Sequence, residues 1–232
     1  LSEMGYSKDV SVRIASEELK KNNIEKTSRI YSSTKRSIDI IVSILGIIFT
    51  SPIYIILWIC FHFGENKGPL IFRQKRVGKN GKLFYIYKFR SMVVDADKKL
   101  KENSILYQKY IKNSYKLEPN EDPRITKLGA FLRKTSLDEL PQLFNVLFGT
   151  MSLVGPRPIV QEELKEYGIM RETFLSVKPG ITGYWQVSGR SEVGYPKRVD
   201  LELYYIYNKS LYLDLKILVL TVWQVLGRKG AY

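Results

Sequence analysis

Cysteine and histidine are nearly absent from this 232-residue chain, which has one of each, Cys60 and His62. A lone thiol excludes an intramolecular disulfide and gives no hint of secretion, and with a single histidine beside it a zinc site is out of reach. Acidic residues are scarce as well: 23 Asp plus Glu stand against 37 Lys plus Arg, a formal net charge of +14. An excess of that size calls for an anionic partner, whether nucleic acid, a phosphorylated small molecule or the anionic face of a membrane. The chain is not a disordered basic tail, since 44% hydrophobic and 12% aromatic residues suffice for a core. Its length allows one domain with appendages.

Charge of either sign is missing altogether from Ile40 to Phe63, a run of 24 residues. That is membrane-segment length. A secretory signal is excluded, because the run begins 40 residues in, behind a mixed-charge leader and without a small-residue cleavage pattern. Two geometries fit it. A kinked helix could cross the bilayer, or a helix could enter, bend and return to the same face. Ser51-Pro52 divides the run into 12 residues on each side, and each half as a helix would reach only about 18 Å against a hydrocarbon core of about 30 Å. Pro52 removes a backbone donor, so a sharp bend is expected there, with the hydroxyls of Thr50 and Ser51 free to take the released carbonyls. Residues 1 to 39 hold eight Lys/Arg and residues 64 to 90 eight more, with Glu65 the only acid of the second set. Equal positive flanks favour a return to one face, with Lys35 and Arg36 snorkelling at the point of entry.

Beyond the apolar run the pattern turns mixed. Leu70 to Val77, the turn Gly78-Lys79-Asn80-Gly81 and the alternating Leu83 to Phe89 predict a β-hairpin. Residues 96 to 118 read as a solvated helix and loop, broken between Pro119 and Pro123. Ile125, Leu128 and Leu132 mark a helical face, and an apolar helix through Phe148 is ended by Gly149. Leu215 to Leu226, with Trp223 inside and Gly227-Arg228-Lys229-Gly230 behind it, reads as an interfacial or core helix. The fold class is α+β, mainly helical with a small β-hairpin or sheet. Three parts are expected: a basic N-terminal segment 1–34, a membrane helix 35–66 and a catalytic domain 67–232.

The acidic pair Asp138-Glu139 is the most chemically suggestive point. Ser136 with Glu139 three residues on fits a capping box, and Pro141 suits a first helical turn, which places both acids at a helix N-terminus. Read alone, this is a cap. Gly155-Pro156-Arg157-Pro158 holds an arginine between two prolines, suited to phosphate. Lys178-Pro179-Gly180-Ile181-Thr182-Gly183, followed by Gln186 and Arg190, adds a second rigid turn. With Lys88, Arg90 and Arg133 these supply cations around one acidic pair, a combination suited to phosphoryl chemistry. Two other classes remain open on the residues alone: a basic nucleic-acid-binding protein, opposed by the uncharged run, and a single-pass membrane scaffold without catalysis.

Six motifs in order resemble one family, the bacterial sugar transferases that act as monotopic polyprenyl-phosphate phosphoglycosyl transferases. They are Lys35-Arg36-Ser37-Ile38-Asp39, the Ser51-Pro52 break, Lys88-Phe89-Arg90-Ser91-Met92, Ser136-Leu137-Asp138-Glu139-Leu140-Pro141-Gln142, Gly155-Pro156-Arg157-Pro158 and Lys178-Pro179-Gly180-Ile181-Thr182-Gly183, and the likeness covers about residues 33 to 232. The resemblance implies a re-entrant helix in one leaflet, on the cytoplasmic face of the bacterial inner membrane. It implies transfer of a sugar-1-phosphate from a UDP-sugar to undecaprenyl phosphate with release of UMP, and no nucleic-acid partner. Asp138 matches the nucleophile and Glu139 a ligand of Mg²⁺. Lys88, Arg133, Arg157 and Arg190 match contacts to phosphate or nucleotide, and Asp214 aligns with an acid near the active site that serves either the metal or the start of the last helix. The ending Gly230-Ala231-Tyr232 is similar to members that begin exopolysaccharide or O-antigen repeats with galactose or glucose. Larger members carry further membrane helices and a soluble domain ahead of this core, and a start at Leu1 fits a piece of such a chain. The segment from about 96 to 122 is longer than in the smallest members and leaves specificity and homo-oligomer contacts open.

Overall fold

A computed structural model describes residues 29–63, 66–113, 117, 121–189 and 193–227. Most of the expected N-terminal segment, residues 1–28, together with Pro119, Arg190, the Arg228-Lys229 pair and the Gly230-Ala231-Tyr232 ending, lies outside the described residues. The chain is mainly helical with two small sheets, and it begins with one long apolar helix, α1 (Arg29–Cys60). The halves expected on either side of Ser51-Pro52 are parts of this one helix, with Pro52 inside it. The reason is local. Proline deprives only the Ile48 carbonyl of its donor, and Ser51 Oγ donates to that oxygen at 2.8 Å while Thr50 Oγ1 donates to the Gly46 carbonyl at 2.6 Å.

The predicted hairpin forms from β1 (Ile71–Val77) and β2 (Leu83–Phe89), antiparallel, with Val77 opposite Leu83 and Ile71 opposite Phe89. Asn80 (φ 57°) and Gly81 (φ 74°) make its turn. Within the segment expected as a solvated helix and loop over 96–118, the helical part is two helices, α2 (Ala96–Glu102) and α3 (Ser104–Lys112), divided where Asn103 Oδ1 accepts from Leu106 N at 3.1 Å and caps the second. Next come α4 (Lys127–Lys134) and α5 (Gln142–Leu147), which Gly149 ends at φ 82°, a left-handed conformation suited to glycine. Two three-residue strands too short to read from the sequence, β3 (Ser152–Val154) and β4 (Gly180–Thr182), pair in parallel. They enclose α6 (Arg171–Leu175) and are followed by α7 (Tyr184–Val187), α8 (Lys197–Asn208) and α9 (Leu211–Leu226). The last helix starts one turn earlier than expected, because Ser210 Oγ caps Leu213 N at 3.2 Å.

The motif ahead of the apolar run docks α1 onto the rest of the chain. Lys35 Nζ and the Tyr31 hydroxyl both reach Asp214 Oδ2, at 2.7 and 2.9 Å. Arg36 donates to the Val146 and Leu147 carbonyls at the end of α5, where the helix dipole favours a cation. Asp39 is buried and accepts from Ser152 Oγ (3.1 Å) and Leu153 N (3.0 Å) of β3. Asp39→Ala leaves two buried donors unpaired and is expected to cost about 2–4 kcal/mol, read as a lowered melting temperature, whereas Asp39→Asn keeps an acceptor and loses less.

The two hydrophobic clusters have different tasks. The larger gathers Val77, Ile86, Val146, Met151, Val154, Ile159 and Ile206 between the sheets and α8. The smaller joins Leu57 and Phe61, from the end of α1, to Phe89 of β2 and Leu132 of α4, with Leu137 and Leu140 packed against it.

Candidate active site

Asp138 and Glu139 lie on a 3₁₀ turn, Leu137–Glu139, whose flanking Leu137 and Leu140 seat it on the smaller cluster. The capping box expected of Ser136 and Glu139 is not formed. Ser136 is left-handed (φ 57°) and its side chain caps nothing, whereas an N-cap residue needs extended backbone. Helix α5 starts only at Gln142, behind Pro141. The Glu139 side chain goes instead to Lys88, which the expected box did not anticipate.

Asn145 on α5 aligns Lys88 with the pair. Its Oδ1 accepts from Tyr87 N at 2.9 Å and its Nδ2 donates to the Tyr85 carbonyl at 2.7 Å, so strand β2 is held beside the acidic turn. Lys88 Nζ then lies 2.6 Å from Glu139 Oε1 and 3.9 Å from Asp138 Oδ2. Burial pushes the Asp138 carboxyl from 3.8 up to about 6; the charge of Lys88 opposes the rise, Glu139 adds to it and Arg133 opposes it. Burial would raise Glu139 too. There the charge and hydrogen bond of Lys88, then the Arg157 charge and a hydrogen bond from Gln142, win and hold its carboxyl below the ordinary glutamate value. Two adjacent carboxylates are thereby driven apart, one easily protonated and one firmly ionised.

Arg157 completes the arrangement. The Gly155-Pro156-Arg157-Pro158 turn is bound between the strands: Gly155 N donates to the Thr182 carbonyl at 2.9 Å and Gly180 N to the Pro156 carbonyl at 2.8 Å. The Arg157 guanidinium stands 5.6 Å from the centre of the Trp185 ring. Lys88, Glu139, Gln142, Arg157, Gln186 and Arg76 line one cleft.

Of the residues expected from sequence, Asp138, Glu139, Lys88 and Arg157 come together. Arg133 interacts with Asp138 electrostatically while its Nε donates to Ser91 Oγ at 2.9 Å, and burial lowers its own value. Arg90, grouped with the cations around the pair, faces elsewhere: its guanidinium donates to the carbonyls of Pro69, Met92 and Asn66 and lies over the Phe61 ring. Asp214 sits in the first turn of α9 with its oxygens accepting from Lys35, Tyr31 and Tyr205. Ser51 and Pro52 lie on the exposed stretch of α1. Arg76 was missed. The alternation of β1 held its signal, since Arg73 and Lys75 are exposed while Gln74 and Arg76 share the opposite, half-buried face.

The donor set suits Mg²⁺, a hard cation that takes one or two carboxylates and leaves other positions to water and phosphate oxygens. Among the described residues no group of three or more His, Cys, Asp or Glu could hold a metal, so a site here would be Glu139 completed by water and a substrate's phosphates.

The sequence profile of the bacterial sugar transferases matches residues 30–228. The chain belongs to this family. It is 49% identical over 214 residues to the undecaprenyl-phosphate galactose phosphotransferase of Salmonella typhimurium, covering 91% of this chain and 44% of that protein. It is 40% identical over 203 residues to the exopolysaccharide production protein ExoY of Sinorhizobium fredii, covering 86% and 88%. Its identity to the UDP-glucose:undecaprenyl-phosphate glucose-1-phosphate transferase of Klebsiella pneumoniae is 44% over 206 residues, covering 85% and 41%. The chain thus spans less than half the length of the Salmonella and Klebsiella proteins and most of the length of ExoY.

Proposed function

We propose that this chain transfers a hexose-1-phosphate, galactose or glucose, from a UDP-sugar to undecaprenyl phosphate at the cytoplasmic face of a bacterial inner membrane, and so starts a polysaccharide repeat unit. The observation that carries the reading is Lys88 paired with both Asp138 and Glu139, beside a cleft that Lys88, Glu139 and Arg157 line. In the first step an Asp138 oxygen forms a bond to the β-phosphorus and the bond to the α-phosphate oxygen breaks, which releases UMP and leaves a phosphosugar on the aspartate. In the second an oxygen of the lipid phosphate attacks that phosphorus and frees Asp138, giving a lipid diphosphosugar. Lys88 keeps the nucleophile ionised, and Arg157 binds phosphate oxygens. Mg²⁺ held by Glu139 would neutralise charge on the phosphates.

Membrane seating follows the same reading. Residues 31 to 39 of α1 bind α9, α5 and β3, while Tyr54, Leu57 and Phe61 pack on Phe89 and Leu132. Both ends therefore rest on one body, and exposed apolar residues run along the helix between and around them, Phe49 being 88% exposed. A spanning helix would need about 20 residues clear of that body. One-leaflet insertion, with Ser51-Pro52 deepest, supports the equal positive flanks.

Incubating the protein in lipid nanodiscs with UDP-galactose, UDP-glucose and UDP-N-acetyl sugars should release UMP and add one hexose phosphate to the intact mass. Turnover of acetamido sugars alone would overturn the hexose assignment, and UMP release without any adduct would overturn the covalent route. The acidic limb of kcat/KM should fall about tenfold per pH unit below about 6, where the acid pair takes up its proton at Asp138 and the nucleophile is lost. A flat profile between pH 5 and 7 would exclude Asp138 as the attacking group.

A further inference from the structure

We propose that Arg76 is a second guanidinium of the substrate site, and that with Arg157 it forms a clamp for phosphoryl oxygens. This rests on the function proposed above and names a residue that function does not use. Arg76 enters from β1, Arg157 from the turn after β3, and both line the cleft that holds Lys88 and Glu139. They are tied together through backbone, for Arg76 Nη1 donates to the carbonyl of Pro158, the residue next to Arg157, at 3.3 Å. Val77 N, the next donor along β1, binds the Ile159 carbonyl at 2.9 Å. The hairpin and the arginine turn are thus fixed relative to each other at this point.

Charge balance shows what is missing. Arg76 Nη1 lies 3.6 Å from Glu163 Oε1, and Arg198 Nη1 lies 3.5 Å from Glu163 Oε2. Arg198 Nε lies 3.4 Å from Glu202 Oε1, which also accepts from Arg157 N at 3.1 Å. Two guanidinium groups, Arg76 and Arg198, share Glu163 and Glu202, while the Arg157 guanidinium forms no ion pair among the described residues and acts on Glu139 only at longer range. Glu163 is further engaged by the Tyr195 hydroxyl and Glu202 by the Tyr167 hydroxyl, so neither has room for another cation. Like charges gathered in a half-buried cleft are costly unless an anion joins them. Arg76 Nε is buried with no hydrogen-bond partner among the described residues. Burial first, and then the Arg157 charge, lower Arg76 to about 10, against the opposing pull of Glu163. A phosphoryl group between the two forks supplies that charge and fits their planar geometry.

Such oxygens could come from the diphosphate of the nucleotide sugar or from the lipid phosphate, and titration separates the two. Wild type, Arg76→Lys and Arg76→Gln, each in lipid nanodiscs with its melting temperature recorded, are titrated with UDP, uridine and a short-chain prenyl phosphate. The lysine variant keeps the charge and loses the fork. It should bind UDP about tenfold more weakly, the scale of one lost charge-assisted contact, with uridine binding unchanged. A loss confined to the prenyl phosphate also supports the clamp and assigns it to the acceptor. Unchanged affinity for both phosphates in both variants overturns the proposal, and so does a parallel loss of uridine and UDP, which marks a structural role. Wild type that binds UDP no better than uridine overturns the proposed function as well; wild type that turns over a UDP-sugar while the variants bind both phosphates normally overturns the clamp alone.

Discussion

Asp138→Asn is expected to remove turnover by on the order of 10⁴-fold or more, the scale of losing one member of a nucleophilic unit, and to abolish the phosphosugar adduct. The substitution keeps the size of the side chain, so the turn on Leu137 and Leu140 should survive. Its stability should change in a telling direction. The folded carboxyl is raised from 3.8 to about 6, so the native state loses stability as pH rises through that interval, by on the order of 3 kcal/mol once the group is ionised. Asparagine carries no such loss. The variant should therefore melt no lower than wild type at pH 8, and any advantage should shrink as pH falls from 6 to 4. A variant that still forms the adduct would place the nucleophile elsewhere. One that loses activity and also melts much lower at pH 8 would mean that Asp138 serves the fold.

Gly180→Ala should damage both fold and activity, for a steric reason. A Cβ built at Gly180 would lie 2.1 Å from Gly155 N, 2.4 Å from the Thr182 carbonyl oxygen and 2.7 Å from the Val154 carbonyl carbon. All three are backbone atoms, so no side chain can swing aside. β3 and β4 must part, and with them go the bonds from Gly155 N and Gly180 N that hold the arginine turn. The expected cost is about 3 kcal/mol, the upper end for overpacking, or roughly 6–12 °C in melting temperature for a domain of this size. Sugar transfer should fall by about 100-fold, since displacing a charge clamp by an ångström is costly. Retained activity with an unchanged melting temperature would show that the two strands can separate freely.

Much of the site was readable because it is written locally. The acidic pair, the Pro-Arg-Pro turn and the glycine-marked hairpin each occupy a few adjacent residues, and the uncharged run needs only counting. What failed depends on contacts between distant positions. Arg90 looked like part of the cation ring, yet three carbonyls and Phe61 claim it. Ser136 looked like a cap, yet its left-handed backbone sends Glu139 across to Lys88, 51 residues away in sequence. Arg76 looked like one more basic residue of a strand, because its meaning lies with Pro158 and Glu163, which the chain reaches only after folding. At Pro52, by contrast, the helix runs on, with the Ser51 and Thr50 hydroxyls on neighbouring carbonyls as the residues themselves suggested.

The cluster that joins Leu57 and Phe61 to Phe89, Leu132, Leu137 and Leu140 changes what the apolar helix is. It is less a tether than a keel, built into the hull that carries the reacting aspartate. Cutting it away would open the floor under the acidic turn, so a water-soluble version cannot be had by deletion. On the proposed seating, lipid against the outer face of α1 would bear on the acidic turn through a single layer of side chains, and the surrounding bilayer would then be part of its mechanical support.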